Sequence, residues 1–220
     1  MTPSGDRTEL LHCLINMSLS KTKVILLHGR WPEKIDGKLI KDIPECDSNN
    51  PNNWMGWTKE RLQERGYEVI CPTVKDAWWA KYEEWKRELD KCGIDENTIL
   101  VGLSASCYAL LRWLGESDQK IKKLILIAPG SPLLLEERDR EPAPFEKEFY
   151  EYELTATIQE QIKEGTTIFV SRNDWQGIRD SADMYQKLLN AKVVWFDLGH
   201  FSFLIKTLPE LVEEILKVGK

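Results

Sequence analysis

Three residues of this chain have the side chains that nucleophilic acyl chemistry needs, and they occur in a telling order. Ser104 stands in Val101-Gly102-Leu103-Ser104-Ala105-Ser106, where one apolar run gives way to another. Asp174 follows in Ser171-Arg172-Asn173-Asp174, and His200 in Leu198-Gly199-His200-Phe201. A serine hydroxyl is a poor nucleophile until a base takes its proton, and an imidazole base works best when a carboxylate fixes its tautomer. A serine on a sharp strand-to-helix turn also needs small residues two positions to each side. Gly102 and Ser106 meet that need, although glycine is usual at the second position. Each residue has a plainer reading. Ser104 suits a helix N-cap, Asp174 a turn, and His200 a hydrogen-bonded core position. Three residues in the order Ser, Asp, His, each placed after a separate apolar run, favour the joint catalytic reading.

An acyl-transfer site also needs donors for the oxyanion of the tetrahedral intermediate. The backbone N–H of Ala105, at the start of the second apolar segment, and that of Arg30, after His28-Gly29, are the candidates. His28-Gly29 also fits a tight loop holding a packed histidine, and the dipeptide alone does not decide. The chain has 9 Trp in 220 residues. Trp31, Trp54, Trp57 and Trp175 fall near the chemistry-bearing positions, whereas Trp78, Trp85, Trp113 and Trp195 suit core packing. Trp31 and Trp175, with His28 and Gly29, are expected to line an apolar substrate pocket.

These residues must be positioned by an alternation of strands and helices. Lys23–Leu27, Thr98–Leu103, Lys123–Ala128, Thr166–Ser171 and Lys192–Asp197 read as buried strands, being short apolar runs. Glu68–Cys71 adds a short strand ended by Pro72. Helices are expected over about Asn53–Arg65, stopped by Gly66, and over Ala77–Cys92, with the stripe Trp78, Tyr82, Trp85, Leu89 and Cys92. Further helices are expected over Ala105–Leu114, near Asp180–Leu189, and at the end of the chain. The last has Thr207 as N-cap and Glu210 three residues on, a capping box. Such a pattern predicts an open, mostly parallel, doubly wound α/β sheet with its ligands beyond the carboxyl ends of the strands. The polar stretch 30–53 reads as a long loop insertion, and 130–165 as a small lid whose charged run Glu136–Glu141 is a solvated surface.

Composition bounds the partners. With 30 Lys+Arg against 36 Asp+Glu, the net charge of −6 opposes a general nucleic-acid or anionic-membrane binder. No apolar run approaches the ~18 residues of a membrane span. The 5 Cys include no C-x-x-C pair, and the 3 His are scattered, so no metal site or cofactor is expected. Cys107, three residues after Ser104, reads as core and not as a rival nucleophile. Free thiols suit a reducing cytoplasm. Residues 1–20 make a poor export signal and read as a leader outside a single domain spanning 21–220.

The residues carry a resemblance. VILLHG (24–29), RGYEVICP (65–72), TILVGLSAS (98–106), KIKKLILIAP (120–129), FVSRNDWQGI (169–178) and LGHFSF (198–203) resemble the α/β-hydrolase superfamily. Within it, the chain is similar to the small serine hydrolases named after a retinoblastoma-binding protein. The resemblance spans about Lys21 to Val218 and implies an α/β-hydrolase fold with a minimal lid. It implies a Ser104–Asp174–His200 triad cleaving small esters or amides without a metal. Two features depart from the family pattern: Leu103 and Ser106 replace the usual His and Gly around the nucleophile, and 30–53 is long. The expected function is therefore a serine hydrolase of a small ester, amide or thioester. The alternative is a hydrolase-fold binding protein whose elbow, altered by Ser106, no longer turns over. The sequence identifies no protein partner.

Overall fold

The computed structural model describes residues 21–218 except 32, 40–41, 44–45, 80 and 137–140. The expected leader at 1–20 and most of the charged run Glu136–Glu141 lie outside the described residues. Lys23–Leu27 (β1), Glu68–Ile70 (β4), Thr98–Leu103 (β5), Lys123–Ile127 (β6), Thr166–Ser171 (β7) and Lys192–Phe196 (β8) form one sheet. Their order is β4-β1-β5-β6-β7-β8, and every neighbouring pair is parallel. Strands β5, β6 and β7 are buried along their whole length, as their Val, Ile and Leu content requires of strands covered on both faces. The edge strands β4 and β8 are less buried; β8, expected to be a buried strand, has a partner on one side only, and its Trp195 is 40% exposed. Trp195 thus faces outward at an edge and is not the core residue the sequence suggested.

The helices are Trp54–Gln63 (α1), Tyr82–Asp90 (α2), Ala105–Glu116 (α3), Leu133–Glu136 (α4), Pro144–Phe149 (α5), Gln176–Leu189 (α6) and Pro209–Leu216 (α7). Parallel neighbours need right-handed crossovers. The chain steps from β1 outward to β4, then back past β1 to β5, so α1 lies on the face opposite α2 and α3. Helix α7 packs against α1, while α2 packs on α3. Both faces are therefore covered.

Three details differ from the sequence expectation. The segment 77–92 is a 3₁₀ turn, Ala77–Trp79, followed by α2 beginning at Tyr82. Its stripe survives, with Tyr82, Trp85 and Leu89 at most 1% exposed. The last helix begins at Pro209 with Leu208 as N-cap and no side-chain cap, so the expected Thr207–Glu210 box does not form. Proline at the first helical position, with its fixed φ and missing N–H, sets the start instead. Finally, the insertion at 30–53 contains a small antiparallel ribbon, Lys34–Ile35 (β2) and Lys38–Leu39 (β3), turning at Asp36 (φ 49°) and Gly37 (φ 80°). Two successive positive φ angles make the tight hairpin turn that Asp-Gly favours. The insertion then ends in polar turns, where Asn53 caps α1 by accepting from the N–H groups of Met55 and Gly56. A Cβ at Gly56 would fall 2.1 Å from Asn50 O, so only glycine lets the insertion pack so closely on α1.

The segment 130–165 is anchored by packing. Phe149 of α5 is fully buried against Trp85 and Tyr108, and Tyr108 donates its hydroxyl to Tyr152 O. Near the expected weak helix, a 3₁₀ segment, Ala156–Gln161, buries Ile158. The register completes the frame for the site. Leu27 pairs with Gly102, Leu103 with Ile127, and Ser171 with Phe196. The loops after β1, β5, β6, β7 and β8 therefore leave at one common edge.

Candidate active site

Ser104 is the turn between β5 and α3, and its backbone is held at φ 57°, ψ −121°. A non-glycine residue there is strained and persists only where its surroundings enforce it. Here they do: Ser104 N–H donates to Ile127 O at 2.9 Å, and Ser104 O accepts from Gly130 N–H at 3.0 Å and Cys107 N–H at 3.1 Å. The neighbours must be small. A Cβ on Gly102 would lie 2.9 Å from Leu110 Cδ1, and one on Gly29 would lie 2.8 Å from Leu103 O and 3.0 Å from Ser104 Cβ.

Ser106 fits the elbow without displacing it. Its Oγ, fully buried, accepts from Leu103 N–H at 2.7 Å and lies 2.9 Å from the carbonyls of Leu27 and Leu103, to either of which it can donate. The hydroxyl thereby adds a side-chain tie between the ends of β1 and β5.

The Ser104 side chain makes no N-cap bond, although the residue occupies the cap position. Its Oγ instead lies 3.0 Å from His200 Nε2. The other ring nitrogen, Nδ1, sits 3.1 and 3.0 Å from the two oxygens of Asp174. An ionised carboxylate only accepts, so Nδ1 carries the proton and Nε2 is left to accept from the serine. The structure thus brings Ser104, His200 and Asp174 into one hydrogen-bonded chain from three separate loops. The Asp174 side chain is 1% exposed and also accepts Trp175 N–H at 2.8 Å.

The His200 loop is braced by residues that sequence reasoning did not assign to it. Asn173 Oδ1 accepts Gly199 N–H at 2.9 Å, and Ser171 Oγ accepts Leu198 N–H at 3.2 Å. Fully buried Trp54 donates its indole N–H to Phe201 O at 2.9 Å, while Phe201 itself is fully buried at φ 49°. Trp54 is therefore a brace behind the loop. Only the cluster of tryptophans near the site hinted at such a role.

Arg30 and Ala105 lie beside the elbow. Among the described residues, the backbone N–H groups of both have no hydrogen-bond partner. Arg30 is fixed by its side chain, which donates to Trp78 O at 3.0 Å and pairs at 2.6 Å with the fully buried Glu146 of α5. This pairing ties the lid segment to the loop after β1 across 116 positions of sequence.

The four residues expected to line a pocket have different placements. His28 is 1% exposed, and its ring serves the backbone: Nε2 accepts Val74 N–H at 2.9 Å, and Nδ1 sits 2.7 Å from Gly29 O. Burial pulls its pKa down to about 4, only partly opposed by the bond to Gly29 and the charge of Asp47. His28 is therefore a neutral pin that shapes the loop after β1 and offers little surface to a substrate. Gly29 lets that loop pass against Ser104, as its missing Cβ shows. Trp31 stacks on Phe203, three residues beyond His200, with ring centroids 3.8 Å apart. It also borders a cleft of about 850 Å³ shared with Ile43, Val74, Ala77 and Trp78, whose lining does not reach Ser104. Trp175, 64% exposed, stacks on the His200 ring at 4.6 Å.

Cys107 is fully buried with its thiol directed at Gly102 O, and burial raises its pKa well above the ordinary thiol value. It is a core residue. Among the described residues, no group of three or more His, Cys, Asp or Glu side chains is arranged to hold a metal ion, and no helix is long and apolar enough to cross a membrane.

Solved structures place this arrangement in a known fold. The ydeN gene product of Bacillus subtilis is 20% identical and superposes with a TM-score of 0.70, over 90% of this chain and 98% of that one. Est1E from Butyrivibrio proteoclasticus is 13% identical at a TM-score of 0.56, over 90% and 87% of the two chains. A pyrethroid hydrolase from Sphingobium faniae is 14% identical at a TM-score of 0.55, over 90% and 97%. At such identities the likeness establishes the fold, which is that of the α/β-hydrolases. No curated protein matches the chain. A family model described as serine hydrolase matches residues 43–203, well over half of the sequence. The match omits β1 and His28-Gly29 but contains Ser104, Asp174 and His200, the three residues that the fold brings into contact. The chain belongs to the serine hydrolase family.

Proposed function

We propose that the protein is an esterase working through an acyl-enzyme on Ser104, with His200 as general base and Asp174 as its orienting carboxylate. The observation that carries this reading is the continuous chain from Ser104 Oγ through His200 to Asp174, at 3.0 Å on the serine side. Ser104 Oγ attacks the acyl carbonyl carbon while His200 Nε2 takes its proton. The resulting oxyanion receives the N–H groups of Arg30 and Ala105. Collapse breaks the bond to the leaving group, which takes the proton back from His200. Water then repeats the sequence and releases the acid.

The substrate is a small ester, with an amide or a thioester as the alternatives, acted on in the cytoplasm without nucleic acid, membrane or cofactor. Membership among hydrolases of the retinoblastoma-binding-protein type belongs to the same proposal. A structurally similar protein is described as a pyrethroid hydrolase, which agrees with a hydrolytic role. The rival reading, a binding protein with a disabled elbow, rests on Ser106 and on the long loop at 30–53; the Ser106 hydroxyl, hydrogen-bonded within the elbow, supports the esterase reading over it.

The test is turnover of p-nitrophenyl acetate and butyrate, with a matched thioester and anilide, by wild type and Ser104→Ala. The expected result is ester hydrolysis that Ser104→Ala abolishes. Equal rates in the two proteins would overturn the proposal.

A further inference from the structure

Trp175 presents a large apolar surface to solvent in a place where packing does not require it. It is 64% exposed, whereas Trp54 and Trp85 are fully buried. Its backbone is nonetheless fixed. The N–H donates to Asp174 Oδ1 at 2.8 Å, and the residue sits at the N-cap of α6 with no side-chain capping role. The ring therefore has a defined origin, and from it the indole lies over the His200 imidazole, with centroids 4.6 Å apart and planes 30° apart.

The imidazole needs such a cover. Asp174 is sealed at 1% side-chain exposure, but the His200 ring is 25% exposed. Its two edges are engaged by Asp174 and Ser104, so neither of those residues restrains the ring against tilting about the line between them. A flat aromatic surface over one face supplies that restraint and keeps water from the Nδ1–H bond.

We infer that Trp175 is a positioning residue for His200: its indole holds the imidazole in line between Asp174 and Ser104 and shields the bond to the carboxylate. This deepens the proposed function and rests on it for its catalytic consequence, although the positioning itself does not. The sequence suggested that Trp175 lines a substrate pocket, and the two roles separate cleanly. A pocket wall acts on substrate affinity, whereas a positioning residue acts on the chemical step.

The experiment compares wild type, Trp175→Leu and Trp175→Phe. With only 3 His in the chain, ¹H–¹⁵N spectra of histidine-labelled protein can resolve the His200 Nδ1–H. That proton is expected at low field in wild type, broadened or lost by solvent exchange in Trp175→Leu, and recovered in Trp175→Phe. His200→Gln identifies the signal. In parallel, kcat for p-nitrophenyl acetate is expected to fall about tenfold in Trp175→Leu, with KM nearly unchanged and substantial recovery in Trp175→Phe. A displacement near 1 Å can cost about a hundredfold, and a ring still tethered by Asp174 moves less. A persistent Nδ1–H signal with unchanged kcat in folded Trp175→Leu would overturn the inference. So would a loss confined to KM, which would return Trp175 to the pocket. If wild type hydrolyses no ester, the proposed activity fails, and the spectra still decide the positioning role.

Discussion

At the amino edge of the sheet, Glu214 of α7 is surrounded by donors: Thr167 at 2.9 Å and Lys123 at 3.0 Å on one oxygen, Lys192 at 3.2 Å and Lys217 at 3.5 Å on the other. At the carboxyl edge, the N–H groups of Arg30 and Ala105 remain unpaired among the described residues, and Ser104 is held at a strained φ of 57°. The same strands supply both edges. Lys123, Thr167 and Lys192 stand at or near the starts of β6, β7 and β8, while the residues after β5, β7 and β8 carry the candidate chemistry. The amino edge saturates its polar groups and fastens α7 to the sheet. The carboxyl edge leaves those N–H groups and the Ser104 hydroxyl, the candidate nucleophile, available and fixes them through surrounding loops. Under the proposed function, stability and reactivity fall at opposite ends of one sheet, so a change at one end is expected to leave the other intact.

Substitutions can break that division. The largest effect is expected for Ser104→Ala, which should lower ester turnover by about 10⁴ or more while leaving the thermal midpoint within a few degrees. A large loss of stability would mean that the hydroxyl itself holds the elbow. Glu214→Ala should do the reverse. It leaves buried Lys123 without its partner and should cost about 3 kcal/mol in urea unfolding, with kcat preserved. A matching fall in kcat would show that the two edges are coupled.

Acid sharpens the contrast, because each edge has its own window. His28 is held neutral in the fold, with its pKa pulled by burial from 6.5 to about 4. Between those values the unfolded chain binds the additional proton, so stability must fall as pH drops from 6.5 towards 4, by about 3 kcal/mol in full. Burial works to raise the Glu214 pKa, but hydrogen bonds from Lys123 and Thr167 and the charge of Lys123 outweigh it and hold the carboxyl at about 2. Its contribution is complete above 4.5 and is lost as pH falls towards 2. Urea midpoints measured across this range should lose their upper phase in His28→Gln and their lower phase in Glu214→Gln. The smallest effect is expected for Ser106→Ala. It removes the Ser106 hydroxyl bonds to Leu103 N–H and to the carbonyls at the ends of β1 and β5 and should cost about 1 kcal/mol, with only a modest drop in kcat.

How much of this was legible in the sequence follows from how locally each feature is encoded. The central strands were legible because burial on both faces demands a continuous apolar run, and Thr98–Leu103 can meet it in no other way. Ser104, Asp174 and His200 were legible because topology places the residues after parallel strands at one edge. The hairpin at 34–39 was signalled by Asp36-Gly37 yet merged into a polar insertion. The break before Tyr82 was hidden because the apolar stripe continues through it. The Glu214 cluster and the Arg30–Glu146 pair join residues distant in sequence, and no local pattern announces them. The tryptophans were the least legible: a type count cannot distinguish Trp54 bracing a loop, Trp175 covering an imidazole and Trp195 facing outward at an edge strand.

Labelling with a fluorophosphonate, followed by intact mass, asks whether the carboxyl edge holds an activated nucleophile. One adduct is expected on wild type, mapped to Ser104, and none on folded Ser104→Ala or His200→Ala. Unlabelled wild type, or equal labelling of Ser104→Ala, would contradict the presence of that nucleophile.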